Sequence, residues 1–172
     1  MKKKAVFCAL CILLAGCSSQ STQEPAQSGA GETSLVIETE GEERIAYSCD
    51  DTAQRIISEL DLSSMVSVDK SDMKQFIDAD LPQDADIAFY TCGSGAAADE
   101  IFIAETDDID MDALESAISK RIDERYSEFE DYKPEEADKI KNAAAFELPG
   151  YYMYFITDNN DKCVDTAKEM LY

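Results

Sequence analysis

One pair of side chains has the spacing of a known nucleophilic site. Ser67 and Lys70 are three residues apart, and in penicillin-binding enzymes a lysine at this spacing helps to activate a catalytic serine. Those enzymes also need S-D-N and K-T-G elements, whereas this chain continues with Ser71-Asp72-Met73 and contains no K-T-G. The pair therefore does not predict catalysis, and Ser71 is better explained as the N-cap of a short helix.

Acidic side chains are numerous enough to raise the question of metal or hydrolytic chemistry. Asp108, Asp110 and Asp112 occupy alternate positions, as the first ligands of a calcium loop do. The sixth and twelfth positions of such a loop would be Ala113 and Ser119 instead of glycine and glutamate, so capping of a helix by Asp110 explains the pattern better. No metal site and no cofactor are predicted.

The chain contains no histidine, which removes the usual general base, the commonest metal ligand and every Ser-His or Cys-His pair. Because 37 acidic residues produce carboxylate pairs at many spacings, such pairs point to no particular reaction. They leave one alternative function open, a carboxylate-dependent hydrolase of the cell envelope that works with or without a cation. We expect a protein that is not an enzyme.

The cysteine that bears most directly on function follows an N-terminal leader. Residues 2–4 are lysines, and the apolar run over residues 5–15 is shorter than the roughly 20 residues of a membrane span. Leu14-Ala15-Gly16-Cys17 resembles the lipidation signal of bacterial lipoproteins. We therefore predict a signal peptide over residues 1–16 and a diacylglyceryl thioether on Cys17, which anchors the protein to the cell membrane, facing outside the cytoplasm.

Beyond Cys17, the chain has three cysteines, Cys49, Cys92 and Cys163. An odd number leaves at least one free thiol, and both a Cys92–Cys163 and a Cys49–Cys163 disulfide are open. The three lie far apart, without a C-x-x-C pair, and do not form a zinc motif. Cys163, which shares a side of a predicted helix with Ala167, is expected to be a buried thiol.

A cluster of aromatic residues, Tyr151-Tyr152-Met153-Tyr154-Phe155, is the one candidate interaction surface. In a strand, alternate side chains face opposite ways, so Tyr152 and Tyr154 share one face. If the other face belongs to the core, these two tyrosines are displayed to a protein or glycan partner.

Charge restricts the partners. The net charge of the chain is −22, and removal of the lysines in the leader makes the remainder more negative. Such a charge opposes binding to nucleic acid and to anionic lipid headgroups. The expected partners are the membrane, through the lipid on Cys17, and a protein or other component of the cell envelope.

The sequence divides into a tether and one domain. Residues 17–34 combine the lipidated Cys17 with a flexible linker that lacks aromatic and large aliphatic side chains. Residues 35–172 are expected to form a single extracytoplasmic domain, in which residues 35–47 alternate weakly around Gly41, as in a strand or loose hairpin. Since 45% of the residues are hydrophobic, a folded domain is favoured over an acidic disordered tail.

The patterns within the domain predict an α+β fold. Helical spacing appears after Asp50 or Asp51, after Ser71, from Asp110, at Pro134 and after 158–161. Strand patterns cover residues 86–92, 100–105, 144–148 and 151–157. We predict a small, mostly antiparallel sheet of about four strands with helices packed on one face. One helix is long and amphipathic, with Met111, Leu114, Ile118, Ile122 and Phe129 on its apolar side.

The order of these segments resembles a known family. ADEIFIAE (98–105), FEDYKPEEADKIKNA (129–143) and GYYMYFITD (150–158) together look like the bacterial lipoproteins grouped only as domain of unknown function 4358. The resemblance covers about residues 50–172. It implies a small extracytoplasmic α+β domain, commonly lipid-anchored and found mainly in Firmicutes, and it supplies no activity and no functional residue. The sequence thus favours a lipid-anchored binding or assembly module at the cell envelope.

Overall fold

The computed structural model describes residues 47–172, together with the backbone of two short strands at 36–37 and 44–45. The predicted signal peptide, Cys17 and the linker lie outside the described residues. The two short strands, β1 (Val36–Ile37) and β2 (Arg44–Ile45), pair antiparallel with Val36 opposite Ile45. This pairing is the hairpin expected around Gly41.

The remaining elements of the described chain are five strands and five helices. The strands are β3 (Met65–Ser67), β4 (Ile87–Cys92), β5 (Glu100–Glu105), β6 (Ala144–Leu148) and β7 (Tyr151–Ile156). The helices are α1 (Cys49–Glu59), α2 (Lys70–Met73), α3 (Met111–Phe129), α4 (Pro134–Lys141) and α5 (Asn160–Leu171).

Strands β3 to β7 form one antiparallel sheet in the order β3-β4-β5-β7-β6. Across its centre, Phe89 of β4 lies opposite Phe102 of β5, which lies opposite Tyr154 of β7. The predicted α+β class is confirmed, with five strands in this sheet rather than about four. The additional strand, β3, has only three residues and is too short to show a regular alternation.

Helices cover both faces of the sheet, which corrects the expectation that they pack on one face. The first face, called the Glu100 face, lies under α2, α3 and α4. Its buried side chains are Phe89, Phe102, Tyr152, Tyr154, Leu114, Ile118, Phe129 and Ile140, with others around them.

The opposite face, called the Ile101 face, lies under α1 and α5. Its buried side chains include Ile101, Ile103, Met153, Phe155, Ala53, Ile56, Cys163 and Ala167. The central strands therefore bury both sets of alternate side chains, and each of the two layers of helices has its own core.

Local capping determines where the helices begin. Ser48, rather than Asp50 or Asp51, caps α1: its Oγ accepts a hydrogen bond from the Asp51 N–H at 3.0 Å, and the Asp51 carboxylate accepts from the Ser48 N–H. Asp110 caps α3 as predicted, accepting from the Ala113 N–H at 3.2 Å. Helix α2 begins earlier than expected, with Asp69 instead of Ser71 at its N-cap position and without a side-chain cap bond.

Among the described residues, none of the helices combines the length and the apolar composition that crossing a bilayer requires.

Candidate functional site

The two tyrosines predicted to form an interaction surface are buried. Tyr152 is 5% exposed and Tyr154 is fully buried, because the face of β7 that carries them lies beneath α3. The other face of β7 is also covered, and Met153 and Phe155 pack there. The prediction that Tyr152 and Tyr154 are displayed to a partner is therefore wrong, since it assumed a sheet with one open face.

Tyr154 instead belongs to a group of buried polar side chains, called the Glu100 cluster, which consists of Glu100, Arg121, Arg125 and Tyr154. Glu100 is fully buried, and its Oε2 accepts a hydrogen bond from the Tyr154 hydroxyl at 2.6 Å. Its Oε1 lies 2.5 Å from Nη2 of Arg121 and 3.0 Å from Nε of Arg125. One buried carboxylate therefore holds two guanidinium groups and one hydroxyl.

The buried side of α3 positions both arginines. Arg121 and Arg125 follow Leu114 and Ile118 at helical spacing and are 8% and 7% exposed. Ile122, which was predicted for the apolar side, is only partly buried. The helix is thus rotated relative to the expected apolar stripe. Two arginines take inward positions where aliphatic side chains were expected.

An aromatic ring packs against each guanidinium. The Arg121 guanidinium carbon lies 5.2 Å from the centre of the Phe76 ring, and that of Arg125 lies 4.7 Å from the centre of the Phe129 ring. Arg125 also donates to the Ala97 carbonyl at 3.1 Å. Burial alone would lower the pKa of Arg121, but its hydrogen bond to the Glu100 carboxylate outweighs burial and raises that pKa.

The hydrogen-bonding capacity of the two arginines is only partly used. Nε of Arg125 is buried without a hydrogen bond among the described residues, because its 3.0 Å contact with Glu100 is an ion pair without hydrogen-bond alignment. Arg121 donates to Glu100 through Nε and Nη2, whereas its Nη1 has no acceptor in the part of the chain that the structure describes. A donor edge of Arg121 therefore remains available to a ligand.

Both arginines line an open groove of about 480 Å³, called the arginine groove. Asp69 and Asp72 at the start of α2 also line it, together with the β3 side chains Val66 and Ser67. Its volume lies within the range of small-molecule binding sites, and its walls combine apolar surface with a few charged groups. It is the candidate binding site to which the Glu100 cluster contributes both of its arginines.

No direct signal for this groove is present in the sequence, although one indication is. Arg121 and Arg125 stand in phase with Leu114 and Ile118, so two charges fall on the stripe that must face the sheet. Glu100, at the start of a predicted strand, is the natural counter-charge. The pairing itself could not be predicted, because Glu100 and Arg121 are 21 residues apart in the sequence and no local pattern links them.

The cysteines remain unpaired. Cys49, Cys92 and Cys163 are all free and buried, so neither disulfide left open by the sequence is formed. Burial raises the pKa of Cys49 and of Cys163. Burial also acts to raise the pKa of Cys92, but hydrogen bonds from the Ser94 hydroxyl and from backbone N–H groups of the following turn prevail and lower it to about 7.

The other sequence patterns have structural roles. Nζ of Lys70 donates to the carbonyls of Gln83 and Ala85, so the Ser67–Lys70 pair is not arranged for nucleophilic chemistry. Within residues 47–172, acidic and cysteine side chains form no group of three or more that could hold a metal ion. Asp110 of the calcium-like pattern caps α3.

Carboxylic acid catalysis would need a carboxyl group with a raised pKa in a cleft. The carboxyl groups whose pKa departs clearly from its usual value, Glu59, Asp80 and Glu136, all depart downward. Hydrogen bonds from Lys162 and Lys74 lower the pKa of Glu59 and Asp80, respectively. Burial acts to raise the pKa of Glu136, but the Ala98 N–H and Lys139 lower it. These shifts favour the carboxylate form, which cannot serve as a general acid.

A family model described as domain of unknown function (DUF4358) matches residues 58–158, which include β3 to β7 and both walls of the arginine groove. No curated protein matches this chain, and no solved structure does.

Proposed function

The chain belongs to the family described only as domain of unknown function DUF4358, and we propose that it acts as a lipid-anchored, non-catalytic binding module outside the cytoplasm. The lipid is carried by Cys17 in Leu14-Ala15-Gly16-Cys17, and residues 18–34 separate the domain from the membrane. The partner is a component of the cell envelope.

The observation that carries the binding role is the arginine groove. Two arginine side chains that are each more than nine-tenths buried line it, and they are held in place by Glu100 beneath them. Removal of these charges from water opposes folding, and apolar side chains at the same positions would not have this cost. A preorganised pair of cations beside an open groove is what recognition of a polar ligand requires.

The experiment that tests this function is site-specific photo-crosslinking in intact cells. A photo-reactive residue replaces Val66, which lines the groove and is 49% exposed, or Tyr132, which lies outside the groove and is 70% exposed. We expect a discrete crosslinked product from position 66 and none from position 132. The Cys17→Ser form, which cannot be acylated, should release the protein from the membrane fraction and lose that product.

Two results would count against the proposal. Equal crosslinking from both positions would show that the groove is not a specific site. Retention of the Cys17→Ser protein in the membrane fraction would show that the lipid on Cys17 is not its anchor. A Cys163→Ser form provides a matched control for the loss of a cysteine that carries no lipid, because Cys163 lies on the Ile101 face and does not line the groove.

A further inference from the structure

We propose that the arginine groove binds a compact zwitterion, an amino acid or short peptide with free ends, whose carboxylate meets Arg121 and whose ammonium group meets Asp69. This inference rests on the binding function proposed above and specifies the ligand. It follows from the signs, partners and burial of the charged side chains on the two sides of the groove.

The arginine side can receive one carboxylate. Arg125 is already engaged with Glu128, Glu100 and the Ala97 carbonyl. Arg121 donates to Glu100 through Nε and Nη2, and its Nη1 has no acceptor among the described residues. Because its pKa is raised, Arg121 remains cationic at any physiological pH. A carboxylate that accepts from this free edge forms a charge-assisted hydrogen bond.

The acidic side has a matching free group. Asp69 holds the N-cap position of α2 without capping it, and its carboxylate makes no hydrogen bond or ion pair among the residues that the structure describes. The carboxylate of the neighbouring Asp72 accepts, among the described residues, only from the side chain of Gln75, at 3.1 Å. An ammonium group that enters the groove therefore finds an unoccupied carboxylate.

The charge balance excludes simpler ligands. Glu100 and Glu128 neutralise the two arginines, so the cluster has no excess positive charge to hold a multiply charged anion. The two aspartates that line the groove would repel such an anion, and a simple cation would leave Nη1 of Arg121 without an acceptor among the described residues. A ligand with one charge of each sign satisfies both sides, and the Phe76 ring and Val66 offer apolar contact to whatever joins its ends.

The test is calorimetric titration of the full chain, purified from membranes in detergent, with alanine, dialanine and trialanine. Each peptide is compared with its N-acetylated and its C-amidated form. We expect at least one free-ended ligand to bind. Each blocked form of that ligand should bind with an affinity lower by a factor of about ten or more, since each lacks one charge-assisted hydrogen bond. The best of the three lengths distinguishes an amino acid from a peptide.

Substitutions locate the ligand. Asp69→Asn should weaken binding of the free-ended ligand about tenfold and leave binding of its N-acetylated form unchanged. Asp84→Asn is the matched control, because Asp84 is also exposed and without a partner in the described structure but lies outside the groove. Lys120→Gln tests a neighbouring hollow that Arg121 and Phe76 also line, and it should have no effect.

Three outcomes would overturn the inference. They are equal binding of free and blocked peptides, loss of binding on Lys120→Gln but not on Asp69→Asn, and absence of binding by all three zwitterions. If crosslinking from position 66 persists in that last case, the groove remains a binding site and only the ligand class is wrong. If that crosslinking is also absent, the binding function itself fails.

Discussion

The two faces of the sheet are built from different chemistry, although the same strands supply both. On the Ile101 face, α1 and α5 cover aliphatic and aromatic side chains, together with the buried thiols of Cys49 and Cys163. On the Glu100 face, a fully buried carboxylate and two arginines interrupt the apolar core. Neighbours on one strand, Glu100 and Ile101, thus enter opposite environments.

The difference separates stability from recognition. Each side chain buried in an apolar core stabilises the fold. A buried ion pair stabilises it only if the attraction between its charges exceeds the free energy needed to remove them from water. The Glu100 face contains such a buried ion pair, which holds guanidinium groups in fixed orientations at the edge of a groove. The Ile101 face has no comparable feature among the described residues, so we assign it a structural role.

The strongest test of this comparison removes the charge at its centre. Glu100→Gln leaves Arg121 and Arg125 buried without their counter-charge, and we expect the free energy of unfolding to fall by about 3–5 kcal/mol. The adjacent change Ile101→Val, which faces the other core, should cost about 0.5–1.5 kcal/mol. Urea unfolding at pH 7 measures both. Equal losses would remove the distinction between the faces.

A smaller effect is expected from the tyrosine hydroxyl that donates to the same carboxylate. Tyr154→Phe leaves a lone pair of the buried Glu100 without its donor, at a cost of about 1–3 kcal/mol. Tyr90→Phe is the matched control, because the Tyr90 hydroxyl donates at the same 2.6 Å to Asp50, which is solvent-exposed. That change should cost less than about 1 kcal/mol, since water can replace the hydroxyl. A larger loss for Tyr90→Phe would contradict the comparison.

The smallest effect concerns Glu59, a carboxylate that joins the helices over the Ile101 face. Glu59 of α1 accepts from Lys162 and Thr166 of α5, and these contacts lower its pKa from 4.5 to about 2. Because the folded pKa is the lower one, its stabilising contribution is complete above about pH 4.5 and is lost as the pH falls toward 2. Glu59→Gln should therefore lower the Tm at pH 7, with the difference shrinking in acid. A difference independent of pH would show that Glu59 acts only through packing.

The sequence predicted elements better than it predicted their surroundings. Residues 100–105 were assigned as a strand with the observed bounds, and Asp110 was identified as the cap of α3. The strands nevertheless contain nearly continuous apolar runs, such as Ile101-Phe102-Ile103-Ala104, which are typical of strands covered on both sides. Tyrosine obscured this signal in β7, because its ring suits a core and its hydroxyl suits a surface.

The site was less predictable than the fold for a physical reason. In the Glu100 cluster, Glu100 contacts Arg121, which is 21 residues away in the sequence, and Tyr154, which is 54 residues away. No local pattern of hydropathy predicts such pairing. An arginine on the apolar side of a helix indicates a buried ion pair only when its counter-charge is known. Asp69 was equally hidden, since the expected cap at Ser71 gave it no role.

The strand order also has a consequence for how the chain folds. Strands β4 and β5 are close in sequence, as are β6 and β7 around Pro149-Gly150, so each hairpin can form from local contacts. The central seam between β5 and β7 instead brings together Glu100 and Ile156, with α3 and α4 between them along the chain. Because closing long loops is slow, we expect this seam to close late. Glu100 then stays hydrated until Tyr154 arrives, and its charge is dehydrated only in the step that completes the sheet.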